Sequence, residues 1–276
     1  MYILIKWDGH THTKFCYHGS DAAQELYINR AIALGFERYT ISEHISLPDH
    51  YIDDAQLMAE LAMPEQELEQ YFAYAADMKQ RFADQIEVTV GLEVDYLPDH
   101  ADYTNRILDK WHNSIEDVVY SVHYLPGVGG MRCIDFTPDD FKRNILAHYG
   151  TMEKLVDEYY NHVEQAIMRA AKLPIRTRIG HLNLIEKFST TLPSIDDAQT
   201  EKRLRSILEL LEGTKVAVDV NTAGLRVPTC GKAYVPAWFL AECRKRNIAC
   251  VYGSDSHKPE QVGFGYDYFE QFYLQK

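Results

Sequence analysis

The sequence has no apolar run that approaches the length of a membrane span, so nothing in it reads as a transmembrane helix. Positive charge is scarce: 28 lysines and arginines against 41 acidic residues leave a formal charge of -13. Surfaces that read nucleic acid rely on lysine and arginine against phosphates, so nucleic acid is not an expected partner. Disulfide chemistry is thin as well. The five cysteines (Cys16, Cys133, Cys230, Cys243 and Cys250) are odd in number and include no C-x-x-C pair, which suits reduced thiols in a cytosolic protein. No basic segment precedes a long apolar stretch at the N-terminus, and a cytoplasmic location without membrane attachment is expected. Repeats, low-complexity tracts and linkers are missing too, so residues 1–276 are read as one domain. Oligomeric state leaves no signature. An acidic chain can still take a small phosphorylated substrate, because bound cations reverse the local sign.

The pattern that is present is an alternation. Seven apolar or β-branched runs, at residues 2–5, 38–42, 88–92, 118–122, 178–182, 216–220 and 248–252, read as strands. Helical patterns separate them. Asp21 can cap a helix that Gly35 ends, 64–82 carries Leu68, Phe72 and Ala75 on one face, and 103–111 is short. Thr151 opens a long helix with Leu155, Tyr159, Val163 and Ile167 at helical spacing, followed by helices over 200–211 and 236–246. Residues 48–61 read as an excursion, and 127–130 as a mobile glycine-rich loop. Such alternation predicts a parallel α/β architecture. A barrel is favoured over an open sheet because nearly every strand ends in His, Asp or Glu, and a barrel gathers all its strand ends around one mouth.

Asp8-Gly9-His10-Thr11-His12 organises this reading. Residues two apart on a strand point the same way, so His10 and His12 aim two imidazoles at one point. Neutral imidazole is a strong ligand for transition metals. Gly253-Ser254-Asp255-Ser256-His257 repeats the geometry at the other end of the chain. With His18, His44, Glu93, His123 and His181 the candidate set reaches nine groups and uses seven of the 12 histidines. One ion takes about four to six donors, so two or three ions are implied. Glu93 is the carboxylate best able to bridge two of them. Two such ions clamp an in-line displacement at phosphorus or carbon and lower the pKa of bound water from 15.7 to about 7. Cys16 is left out of the set, because the other donors are imidazole and hard oxygen.

These motifs, with Ser42-Glu43-His44, Gly91-Leu92-Glu93-Val94-Asp95, Ser121-Val122-His123 and Ile179-Gly180-His181, resemble in type and order those of the polymerase and histidinol phosphatase (PHP) family. The similarity runs from residue 8 to about 265, and Phe15-Cys16-Tyr17-His18-Gly19 resembles the family's stand-alone phosphatases. It implies a distorted (β/α)7 barrel that hydrolyses L-histidinol phosphate in histidine biosynthesis. It also implies a first metal on His10, His12, Glu93 and Asp255, with Glu93 bridging to a second on His123 and His181. A third would sit on His18, His44 and His257. Zinc, iron and manganese all suit such sites, and catalysis would rest on Glu93, Asp255 and His257.

For the phosphate, Arg226 after the sixth strand and Arg178 before His181 are the candidate clamps, through their planar fork of donors. Glu43 and Asp95 flank ligands and suit either the cationic end of an amino alcohol or support of an imidazole. The alternative activity is phosphoesterase action on another small phosphate ester or a nucleotide end. A barrel amide hydrolase would usually need a bridging lysine at a strand end, where this sequence has Glu93.

Overall fold

The computed structural model describes residues 5–274. Nine strands occur among them: β1 (Trp7–Asp8), β2 (Arg38–His44), β3 (Glu87–Asp95), β4 (Asp117–Ser121), β5 (Tyr124–Gly127), β6 (Gly130–Cys133), β7 (Arg176–Ile179), β8 (Ala217–Asn221) and β9 (Cys250–Gly253). Seven form one all-parallel sheet in the order β1-β2-β3-β4-β7-β8-β9. Its two edges meet. Gly9 N–H donates to the Tyr252 carbonyl at 2.8 Å, Asp255 N–H to that of His10 at 2.7 Å, and His12 N–H to that of Ser256 at 2.9 Å. The sheet is therefore a nearly closed (β/α)7 barrel, and its closing seam consists of the two histidine motifs.

Helices wrap the outside because parallel neighbours need a crossover between them. They are Gln24–Ala33, Leu68–Arg81, Ala101–Lys110, Met152–Ala170, Asp197–Glu212, Ala237–Lys245 and the final turn Tyr266–Phe269. The inward stripe of the longest helix, Leu155, Tyr159, Val163, Ile167 and Ala170, is fully buried, and Thr151 caps it by accepting from Lys154 N–H. Tyr71 reaches through the wall: its hydroxyl lies 2.5 Å from the Gly91 carbonyl and 3.3 Å from the Glu43 N–H, pinning β2 to β3 just below the mouth. No helix among the described residues is long and apolar enough to cross a membrane.

Four local expectations change. The first strand is Trp7–Asp8; residues 2–4 of the expected run lie outside the described residues, and Ile5 is exposed. Asp21 does not cap the first helix, whose N-cap is Ala23. The excursion contains a helix, Ala55–Leu61, capped by Asp54, which closes a small second core of Leu47, Tyr51, Ile52, Leu57, Leu97 and Tyr124. Finally, residues 127–130 are no free loop. They turn the antiparallel hairpin β5–β6, where Gly129 and Gly130 take the positive φ that such a turn requires.

Candidate metal centre

The parallel register places the site. His44, the last residue of β2, lies opposite Glu93 in β3, and Asp95 lies opposite Ser121. Chain ends beyond β1, β4, β7 and β9 bring His10, His12, His123, His181, Asp255 and His257 to the same mouth. At its centre the Glu93 carboxylate faces two ways. Oε2 lies 3.1 Å from His10 Nε2, 3.4 Å from His12 Nε2 and 3.3 Å from His44 Nδ1. Oε1 lies 3.0 Å from His181 Nε2 and 3.6 Å from His123 Nε2, and accepts from the Ser121 hydroxyl at 2.6 Å. Asp255 Oδ1 is 3.1 Å from His12 Nε2 and 3.8 Å from His10 Nε2. Two glycines make the room: a Cβ on Gly180 would meet Ser121 Oγ at 2.1 Å, and one on Gly253 would meet Asp219 Oδ1 at 2.2 Å.

Outside this ring a second set of carboxylates orients the imidazoles. Asp219 Oδ2 is 2.9 Å from His10 Nδ1, Glu43 Oε1 3.2 Å from His12 Nδ1, and Asp95 Oδ1 2.6 Å from His123 Nδ1. Each such contact turns the Nε2 lone pair inward. Glu43 also accepts from the Thr13 hydroxyl and the N–H groups of Thr13 and His44. Of the two roles open to Glu43 and Asp95, the geometry gives support of the His12 and His123 imidazoles.

The electrostatics suit cations. Burial raises the Glu93 carboxyl, but the imidazoles of His10, His44 and His123 outweigh it and hold the group well below the usual carboxylate range. Asp255 is held down in the same way against burial, by His10 and His12. Burial, then the neighbouring His12, pushes His44 and His257 well below the ordinary imidazole value, so both are neutral donors. Against the opposing effect of burial, carboxylates push His12 up to about 9 and His123 up to about 10. A divalent cation balances the same carboxylates while converting these rings into ligands.

A direct test of fit comes from unsatisfied atoms. Nε2 of His44 and His257 is buried without a hydrogen-bond partner, and Nε2 of His10 and His12 faces only carboxylates. Buried polar atoms are rarely left so. Donor atoms converge within 4.8 Å in three groups: His10, His12 and Asp255; His44, Glu93 and His123; and His12, Cys16, His44 and His257. The residues present fit divalent metal.

Above the donors opens a cavity of about 390 Å³, whose rim carries three cations, Arg226, Lys187 and Lys258, and the aromatic rings of Tyr124, Phe136 and Tyr234. Arg226 stands where a clamp is expected, but its fork also serves the main chain: Nη1 donates to the Ser254 carbonyl at 2.7 Å and Nη2 to that of Asp255 at 2.5 Å. These bonds hold Asp255 at φ +52°, a left-handed conformation uncommon outside glycine. Arg178 corrects the other expectation. It is fully buried, with Nη1 donating to Asp117 Oδ2 at 2.6 Å and Nη2 to the Gly9 carbonyl at 2.5 Å, and it lies outside the cavity wall. Three residues span about 10 Å along a strand, so Arg178 sits a layer below His181 and cannot meet a phosphate at the mouth.

Residues 8–223 match the PHP domain family, and residues 240–272 match a PHP-associated segment. The chain belongs to the PHP domain family. Histidinol-phosphatase of Bacillus subtilis (strain 168), a relative of this PHP domain, is 32% identical over 266 residues, covering 96% of this chain and 98% of the relative. A solved structure from Listeria monocytogenes, of a protein assigned as a histidinol phosphatase, is similar at TM-score 0.90 and 34% identity, covering 96% and 100% of the two chains. The Lactococcus lactis subsp. lactis histidinol phosphate phosphatase, solved with zinc, L-histidinol and phosphate, shares the fold at TM-score 0.72 and 20% identity, covering 97% and 93%.

All the donors read from the sequence of this PHP domain reach the mouth, with one at its edge. His18 is exposed; its Nδ1 N–H donates to the Glu60 carbonyl at 3.0 Å, and its ring centre lies 5.0 Å from that of His257. Sequence reasoning missed Asp219, the support of His10. Its signal is a lone carboxylate inside the otherwise apolar run 216–220. It also missed Lys187, whose ammonium is held by Asp135 at 2.8 Å and whose loop position gives no periodic signal.

Proposed function

We propose that this PHP domain protein is a metal-dependent phosphomonoesterase that hydrolyses L-histidinol phosphate to L-histidinol and phosphate, a step of histidine biosynthesis. The observation that carries this reading is the two-sided placement of Glu93 between two groups of imidazoles, beneath a cavity rimmed by cations in an otherwise acidic protein. The Bacillus subtilis relative, matched over nearly its whole length, supports the substrate. We read the barrel as one catalytic domain.

His10, His12 and Asp255 would hold one ion, and His123 and His181 a second, with Glu93 between them; His18, His44 and His257 would hold a third. Zinc, iron or manganese bound there would supply Lewis-acid stabilisation of the phosphoryl oxygens and an activated water for in-line attack. The chain's own residues do the rest. Asp219, Glu43 and Asp95 fix the ring orientations, so the donors need no rearrangement as charge develops. Arg226 and Lys187, the latter paired with Asp135, line the same cavity as these donors and could meet the phosphate oxygens there. The aromatic wall suits the imidazole of the substrate.

A panel of phosphomonoesters tests the substrate. L-Histidinol phosphate is expected to show the highest kcat/KM, and a clear preference for a nucleotide or sugar phosphate would replace the reading. Elemental analysis should find two to three transition-metal ions per chain, and chelation should abolish turnover; full activity after complete removal of metal would sink the mechanism.

Arg226→Met is expected to lower kcat/KM about ten- to hundredfold. A charge-assisted hydrogen bond to phosphate is worth on the order of 1.5–3 kcal/mol. Steady-state kinetics with metal content in parallel make the check, and wild-type kinetics would assign Arg226 only to the Asp255 loop.

A further inference from the structure

Cys16 belongs to a loop folded tightly under the mouth. Its N–H donates to the Thr13 carbonyl at 3.1 Å, and Gly19 N–H closes the turn onto the Cys16 carbonyl at 2.9 Å. The turn sends Tyr17 and His18 outward and the thiol inward: Tyr17 is 48% exposed and Cys16 only 5%. Inside, Sγ comes within 4.8 Å of donor nitrogens of His12, His44 and His257. As plain packing this arrangement is poor. A thiol has one weak proton to give, and the His18 Nε2 lone pair lies 3.4 Å away to take it, since His18 Nδ1 is committed to the Glu60 carbonyl. Nothing is then left for Nε2 of His44 and His257, both buried and unpartnered. A cation among them satisfies every group at once.

Resting on the metal-dependent reading above, we infer that Cys16 is a sulfur ligand of the third metal, completing a nitrogen-sulfur site with His44 and His257. His12 turns its Nε2 to Asp255, 3.1 Å away, and serves the first metal. His18 closes the third site from the rim. On binding, the sulfur–metal bond forms and the thiol proton passes to solvent. The consequence is selectivity. Thiolate is a soft donor that favours zinc, iron or cobalt, whereas manganese is matched to oxygen. The third position therefore discriminates against manganese, while the sites around Glu93, built from imidazole and carboxylate, do not.

Cobalt(II) loading of the full chain tests this without relying on turnover. Wild type should show an intense near-ultraviolet sulfur-to-cobalt charge-transfer band. Cys16→Ser should lose that band and Cys133→Ser should keep it, because Cys133 is spent on Asp135 at 3.0 Å. X-ray absorption on the zinc-loaded wild type, which needs no variant, should resolve a Zn–S distance of about 2.3 Å. Bound cobalt without the band, a band that survives Cys16→Ser, or zinc without a sulfur scatterer each overturns the sulfur ligand alone. Failure to take up any metal overturns the metal-dependent reading and this inference together. Hydrolysis of L-histidinol phosphate, measured on the same samples, separates the two cases.

Discussion

Glu93→Gln is expected to remove nearly all phosphatase activity, on the order of a thousandfold in kcat, and to lower metal content at two positions together. The amide keeps the shape of the side chain but loses the negative charge, and presents N–H where an acceptor is needed. Glu93 is the group that faces His10, His12 and His44 with one oxygen and His123 and His181 with the other. Loss of a single preorganised electrostatic group commonly costs 10²–10³ in rate, and here two metal positions would depend on the same group. His18→Ala is the contrast. His18 stands at the exposed rim, so its removal should release one ion, leave the pair around Glu93 in place and spare part of the turnover. Metal analysis and single-turnover rates for both variants decide the matter. If His18→Ala emptied every site while Glu93→Gln kept its full complement, the division of labour would be wrong.

Arg178→Met should cost about 3–5 kcal/mol of stability, the usual penalty for breaking a buried ion pair from one side. Asp117, itself buried, would lose its closest cation, and the Gly9 carbonyl would lose its donor. Arg176 remains 3.6 Å from Asp117 but is partly exposed, so its compensation is small. In a chain of this size the change corresponds to a fall in Tm on the order of 10 °C. Thermal or denaturant unfolding at fixed metal loading measures it. The opposite result, unchanged stability with a raised KM, would restore Arg178 to the phosphate and remove it from the barrel floor.

How much was legible follows from where the signals sit. His10, His12, His44, Glu93, His123, His181, Asp255 and His257 were readable because each falls at or just beyond the end of an apolar run, and barrel geometry turns that one-dimensional regularity into a ring. Arg178 shows the limit. It lies near the same strand end, but side chains a few residues back along a strand belong to a lower layer, and the sequence carries no marker of depth. The β5–β6 hairpin was missed because Pro126 and three glycines read as loop, whereas its pairing of Tyr124 with Cys133 is a tertiary fact. The helix Ala55–Leu61 had a capping aspartate but only seven residues, too short for a periodic stripe. Cys16 was set aside on donor hardness; the turn that buries its thiol among imidazoles is not encoded in spacing.

The barrel's closing seam has a consequence for biosynthesis of the protein itself. The bond from Ser254 N–H to the Asp8 carboxylate joins positions 246 residues apart, and the His10–Asp255 contacts lie beside it. At translation rates of about 5–20 residues per second, roughly 12 to 50 seconds separate the synthesis of the first imidazole pair from that of its last partners. During that interval His10 and His12 lack Asp255, the carboxylate that faces both rings in the closed barrel. A metal ion bound across the seam would therefore find its full donor set only after the last strand arrives, so loading after synthesis is the expected order.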